Sequence, residues 1–152
     1  SDYEKLFAHA RAEGIPFTIH AGEAAGPESI RQAVDYGTAR IGHGVNCIHD
    51  KNLMNIIAEK GITLELCPTS NLNTKIVNDI KDYPIDKIIN NKIKATINTD
   101  NMTVSGTDEA SEMKLICDTF GYDGNMRRIF VNNAIDAAFL SDEMKEKLRG
   151  NL

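Results

Sequence analysis

The apolar positions of this chain follow two periods, and the switches between them mark its elements. Lys5, Leu6, Phe7, Ala8 and Ala12 fit a short amphipathic helix that stops at Gly14. Phe17-Thr18-Ile19, bounded by Pro16 and Gly22, is a short apolar run of the kind that forms a buried strand. Pro27 suits the first position of a helix whose apolar residues Ile30, Ala33 and Val34 carry it up to Gly37. Arg40-Ile41-Gly42 is a very short second strand. Asp50 is placed to cap a helix with Leu53, Met54, Ile56 and Ile57 on its apolar face, ending before Gly61. Ile62 through Cys67 is a third strand, halted by Pro68. Polar residues follow to about Tyr83, then a short helix from Pro84 through Ile89. Lys94 through Asn98 is a fourth strand, and the tail reads as three helices, Thr107 to Thr119, Asn125 to Phe139 and Asp142 to Leu148.

Strand and helix therefore alternate, which predicts an α/β fold with a parallel sheet and covering helices. The polar residues His20, His43, Ser70-Asn71 and Asp100 fall just past the predicted strand ends. They recur roughly every 25–30 residues, about one strand-plus-helix unit of an eight-unit barrel. In such barrels the chemistry collects at the C-terminal ends of the strands. Four strands cannot close a barrel of that type. Residues 1–152 read as a single domain with the organisation of half of one.

Composition narrows the function classes. Of 152 residues 41% are hydrophobic, and 17 Lys and Arg against 22 Asp and Glu leave a net charge of −5. No basic stripe is present, so a nucleic-acid partner is not expected. No apolar run is long enough for a membrane span, and no charged-then-apolar leader opens the chain. Cys47, Cys67 and Cys117 are odd in number, far apart and never in a Cys-x-x-Cys pair. A reduced, cytoplasmic setting is the expectation, with the thiols acting as small apolar groups.

Three short motifs could carry chemistry. His20-Ala21-Gly22-Glu23 sets an imidazole, a good zinc ligand, three positions before a carboxyl able to pass a proton. Alone it is equally the pattern of a hydrogen-bonded surface pair. Gly42-His43-Gly44 gives one ring clear space between two residues that permit a sharp turn; by itself it also describes a turn histidine. Asn98-Thr99-Asp100-Asn101 ends the fourth strand on a carboxylate, in residues that equally suit a turn or a helix cap. Together they place two histidines and two carboxylates at one end of successive strands. His9, in a helix, and His49, in a loop before one, lack that placement. Glu65, in mid-strand, is expected to pair locally or face a helix.

His20 through Glu23, Arg40-Ile41-Gly42-His43-Gly44, Leu66 through Asn71 and Asn98-Thr99-Asp100, in this order and spacing, resemble the adenosine deaminase family. The tail from Asn132-Asn133-Ala134 to Phe139-Leu140 is similar to the closing helices of that family. The resemblance implies the second half of a TIM-like (βα)8 metal-dependent hydrolase barrel, about four parallel strands with covering helices and a helical tail. It implies one Zn2+ per complete site, with His20 and Asp100 as two ligands and two further histidines from a His-x-His on the first barrel strand. No His-x-His occurs in this chain. By the same motif positions Glu23 is the acid that protonates N1 of a purine, and His43 orients and helps deprotonate the attacking water. Gly22 and Asn101 stand at substrate-binding positions. Family members commonly carry a second aspartate where Asn101 stands; an amide there donates at any pH, whereas a carboxyl must hold a proton to do so. The implied reaction is deamination of adenosine to inosine and ammonia, with adenine or an N6-modified purine as alternative substrates. A non-catalytic half-barrel used for binding or assembly is the competing class. Unmet sheet edges also lead us to expect self-association, or pairing with a missing N-terminal half.

Overall fold

The computed structural model describes residues 2–151, which divide into two compact units. One takes the chain through Glu65 together with Pro84–Lys94; the other takes Leu66–Tyr83 and the chain from Ala95 onward. Four strands are formed, β1 (Thr18–Ala21), β2 (Arg40–His43), β3 (Thr63–Leu66) and β4 (Ala95–Ile97), in the spatial order of the sequence. β1 pairs with β2, and β2 with β3, in parallel. Parallel neighbours require a crossover, and a helix follows each of the first three strands as the alternation predicted.

In the first unit, α1 (Asp2–Ala12) precedes β1, α2 (Pro27–Asp35) links β1 to β2, and α3 (Lys51–Glu59) links β2 to β3. Phe7 of α1 packs its ring against Phe17 at 4.9 Å and Tyr36 at 5.2 Å, which ties that helix to the start of the sheet. Pro27 opens α2, where its missing N–H costs no helical bond. Asp50 caps α3 by accepting from the Leu53 N–H at 3.0 Å, as its position before the apolar face foretold. The same carboxylate pairs with Arg31 of α2, joining the two crossover helices. These two partners, the Leu53 amide first, hold its carboxyl below the usual range. Ile30, Ile41, Leu53, Ile57 and Leu64 are fully buried between helices and strands. Full burial of such a side chain stabilises by roughly 1.5–3 kcal/mol. α5 (Ile85–Asn90) completes this unit, with Ile85 and Ile88 in the core.

The second unit holds α4 (Pro68–Asn73), α6 (Met102–Ser105), α7 (Glu109–Phe120), α8 (Gly124–Ala137) and α9 (Asp142–Arg149). α4 lies where the sequence pattern led us to expect only a polar stretch, and α6 begins just after the residues read as suiting a turn or a helix cap. A turn of 3-10 helix, Val45–His49, likewise replaces the expected loop after β2. Asn133 of α8 donates through Nδ2 to the Ala95 carbonyl at 2.9 Å, satisfying a backbone acceptor at the start of β4. Leu66, Ala95, Ile97, Ile116, Phe130 and Ile135 are buried. Cys47, Cys67 and Cys117 are buried and form no disulfide with one another, and burial pushes the Cys47 thiol up to about 12. Among the described residues no helix is long and apolar enough to cross a membrane.

Two tests follow from packing and charge. Gly22 sits at φ +70°, and a Cβ there would lie 2.2 Å from Ile30 Cδ1 and 3.2 Å from the Gly44 Cα. Gly14 has a similar φ of +66° with nothing within 4 Å. Gly22→Ala is expected to lose about 1–3 kcal/mol by overpacking beyond the cost of Gly14→Ala, read as a lower urea midpoint at equal slope. Glu109, in the first turn of α7, has its carboxyl held above the usual range, chiefly by desolvation and then by the neighbouring Glu112. Its contribution to stability is therefore lost as pH rises through that raised value. Glu109→Gln should raise the urea midpoint at about pH 7.5 and leave it unchanged at about pH 3.5, where both forms are neutral.

Candidate functional site

β1 and β2 pair in the register His20↔Gly42 and Ala21↔His43. Both histidines lie inside their strands rather than past the ends, His20 as the penultimate residue of β1 and His43 as the last of β2. His43 closes β2 in a left-handed conformation, φ +64°, which a residue with a Cβ adopts at a cost of order 1–3 kcal/mol. It is buried, and its ring centroid stands 4.4 Å from that of the exposed His20. The glycines beside it earn their place. Gly44 continues at φ +72°, and a Cβ there would meet Leu64 Cδ2 at 2.7 Å.

Beyond β1 the chain bends at Gly22, whose N–H donates to Ser29 Oγ at 2.9 Å and whose carbonyl accepts from the Asn46 N–H at 3.0 Å. Ser29 Oγ in turn donates to the Gly26 carbonyl, and Asn46 Nδ2 donates to the carbonyls of Glu23 and Ala25. Side chains from α2 and from the turn after β2 thus pin the loop that carries Glu23. Gly22 itself is buried with both backbone groups engaged.

The pinned loop delivers the Glu23 carboxyl to both rings. Oε2 is 3.0 Å from His20 Nε2, and Oε1 is 3.6 Å from His43 Nδ1. Its side chain is only 13% exposed, against 64% for His20 and 3% for His43. The ligating atoms of His20, Glu23 and His43 all lie within 4.8 Å of one another. The exposed His20 imidazole is a donor that suits zinc, so it fits such an ion, with the Glu23 carboxyl and the His43 ring beside it. Where His20 Nε2 carries a proton shared with Glu23, a metal must displace that proton to bind. Glu65 accepts from Thr18 Oγ1 at 2.8 Å and pairs with Arg40 at 3.2 Å, the local partnership anticipated for it.

In the second unit, Asp100 follows β4 and also adopts a left-handed conformation, φ +56°. Ser70 Oγ donates to its Oδ2 at 2.7 Å. Asn101 caps α6, its Oδ1 accepting from the Val104 N–H at 3.0 Å. That bond fixes the amide's orientation, because only the oxygen can face a donor, and it leaves the NH2 as the outward group. The sequence set Ser70-Asn71 just past the third strand without revealing the Ser70–Asp100 bond. Asn71, fully buried, accepts from Tyr83 Oη at 3.0 Å. Glu112, equally buried, was missed altogether. A cavity of about 510 Å³ in this unit, lined by Ile97, Met113, Phe130 and Val131 among others, is apolar and includes none of these groups.

Comparison with known proteins places this geometry. The family description "Adenosine deaminase" matches residues 1–152. An adenosine deaminase of Haemophilus ducreyi is 43% identical over 99% of this chain and 44% of its own length. Among solved structures, an adenine deaminase from Arthrobacter aurescens superposes with a TM-score of 0.91 at 24% identity, over 96% of this chain and 45% of that one. An amidohydrolase from Burkholderia ambifaria with bound Zn superposes at 0.88 with 27% identity, over 97% of this chain and 42% of the other. The chain thus spans under half the length of the proteins it matches, and its four parallel strands with their helices are part of a TIM-like barrel. With His20, Glu23, His43 and Asp100 standing in the motifs that suggested it, the chain belongs to the adenosine deaminase family.

Proposed function

We propose that the whole protein to which these residues belong is a zinc-dependent purine deaminase that converts adenosine to inosine and ammonia. The single observation that carries this reading is the Glu23 carboxyl, sheltered and set between two imidazoles at adjacent strand ends. By motif position His20 and Asp100 are two of the zinc ligands, and two histidines would come from the part of the family barrel that this chain does not span. Zinc held there supplies an acidified water, lowering its pKa to about 7.

The chain's own residues do the rest. Glu23, protonated as the purine enters, donates to N1 and so drains electron density from C6. Its side chain is 13% exposed, which keeps competing water away from the carboxyl. His43 takes the proton of the attacking water; its Nδ1 side faces Glu23, which orients the ring. Oxygen adds to C6 as a hydroxyl, and the protonated His43 ring returns its proton to the exocyclic amine. The C6–N bond breaks to release ammonia, and the C6 hydroxyl gives its proton to Glu23 as the carbonyl forms, which restores the acid. Asn101 presents its NH2 to N7 of the purine, its oxygen being committed to the α6 cap.

Assay of the whole protein against adenosine, adenine and N6-methyladenosine tests the substrate, with adenosine expected to show the highest kcat/KM. No turnover of any of them by the zinc-loaded protein would refute the reading. Glu23→Gln should keep zinc and fold while losing roughly 10²–10⁴-fold in kcat, the range of general acid–base catalysis. His20→Ala should lose metal and activity together, as metal analysis and assay would record. Equal metal content and equal activity in the two variants would remove these roles. 7-Deazaadenosine, which lacks the N7 acceptor, should be poorer than adenosine by roughly 5- to 150-fold in kcat/KM, the cost of an unpaired buried donor. Equal values would mean that Asn101 does not read N7.

A further inference from the structure

The most deeply buried carboxylate of the second unit belongs to Glu112, with no exposed surface, on α7. Among the described residues no lysine or arginine pairs with it. Both its oxygens accept hydrogen bonds instead. Oε2 takes the Thr69 N–H at 3.1 Å, and Oε1 takes the Thr107 hydroxyl at 2.7 Å. Burying a carboxylate without a cation is costly, and an apolar side chain of similar size would fill the space without that cost. Stability alone is therefore a poor account of it.

Its two partners share a destination. Thr69 is the second residue of α4, so its N–H is one of the first-turn amides that lack an acceptor inside the helix. The next residue, Ser70, donates its hydroxyl to Asp100 Oδ2. Thr107 lies just beyond the Gly106 cap of α6, the helix that begins directly after Asp100 and Asn101. One carboxylate thereby fixes the element that hydrogen-bonds Asp100 and the element that follows it in the chain. Asp100 needs such bracing, since its left-handed backbone is not the conformation it would choose unaided.

We infer that Glu112 is a positioning residue for Asp100: it holds α4 and the end of α6 so that Ser70 orients the Asp100 carboxylate for a metal ion. The inference rests on the role proposed for Asp100 and assigns Glu112 no contact with substrate or metal. Ser70 engages Oδ2, which leaves Oδ1 as the oxygen set for ligation.

The test uses the whole protein and Zn2+ itself, with zinc affinity read by competition against a chromophoric chelator. Glu112→Gln keeps the volume but leaves one acceptor where two are needed. It should weaken zinc binding about 10- to 100-fold, the range for residues that orient metal ligands, at temperatures well below the melting point of the metal-free form. Ser70→Ala should weaken it comparably, and the two together should cost less than the product of the single effects, because they act along one path. Thr107→Val, which removes one bond and preserves shape, should give a smaller loss in the same direction and carries the test where Glu112→Gln does not fold. A variant with a lowered melting point but wild-type zinc affinity would make Glu112 merely structural and overturn the inference, leaving the deaminase reading intact. A wild-type protein that binds no zinc would overturn both.

Discussion

Parallel strands exchange slanted hydrogen bonds in a register that cannot slip by one residue without turning every side chain to the other face. Here that register sets Ala21 opposite His43 and His20 opposite Gly42. One imidazole therefore stands beside a residue with no side chain, and the other follows it one step along. The rings come to 4.4 Å without either being forced aside. Everything above the sheet depends on this pairing. The loop after β1 can carry Glu23 to both rings because those rings are already adjacent, and Ser29 and Asn46 hold the loop there through its backbone.

The second unit solves a related problem by different means. Its buried polar residues each hold a partner: Asn71 bonds the buried Tyr83, Ser70 the exposed Asp100, and Glu112 the half-buried Thr69 and Thr107. A low-polarity surrounding makes each such bond stronger and each missing partner more expensive. The network is consequently rigid where it is complete, which suits a carboxylate that has to point in one direction.

Much of this was legible beforehand. The alternation of apolar strands with amphipathic helices gave the four strands and the crossover helices, since burial on both faces demands those patterns. The candidate site was legible in its histidines and carboxyls because four motifs recur at one strand-plus-helix interval. What escaped is equally physical. Pro68–Asn73 forms a helix from residues with almost no apolar periodicity, held by Glu112 and by the burial of Ser70 and Asn71. Periodicity reports apolar faces and is blind to polar groups buried with their partners. Glu112 drew no notice in the sequence, because glutamate is almost always exposed unless something pairs with it. Its two partners lie 43 and 5 residues away, so no local pattern announces it.

His43 and Asp100 share a property that chemistry alone does not require: both sit at positive φ while carrying side chains. At each position glycine would relieve the backbone, and asparagine would be easier than histidine. Random substitution filtered for folding alone would therefore drain these two sites of the very residues found there. Lys75 and Lys92 hold the same left-handed backbone, so the conformation alone does not mark a functional demand; it makes drift at all four positions run ahead of drift in the surrounding core wherever folding is the only filter.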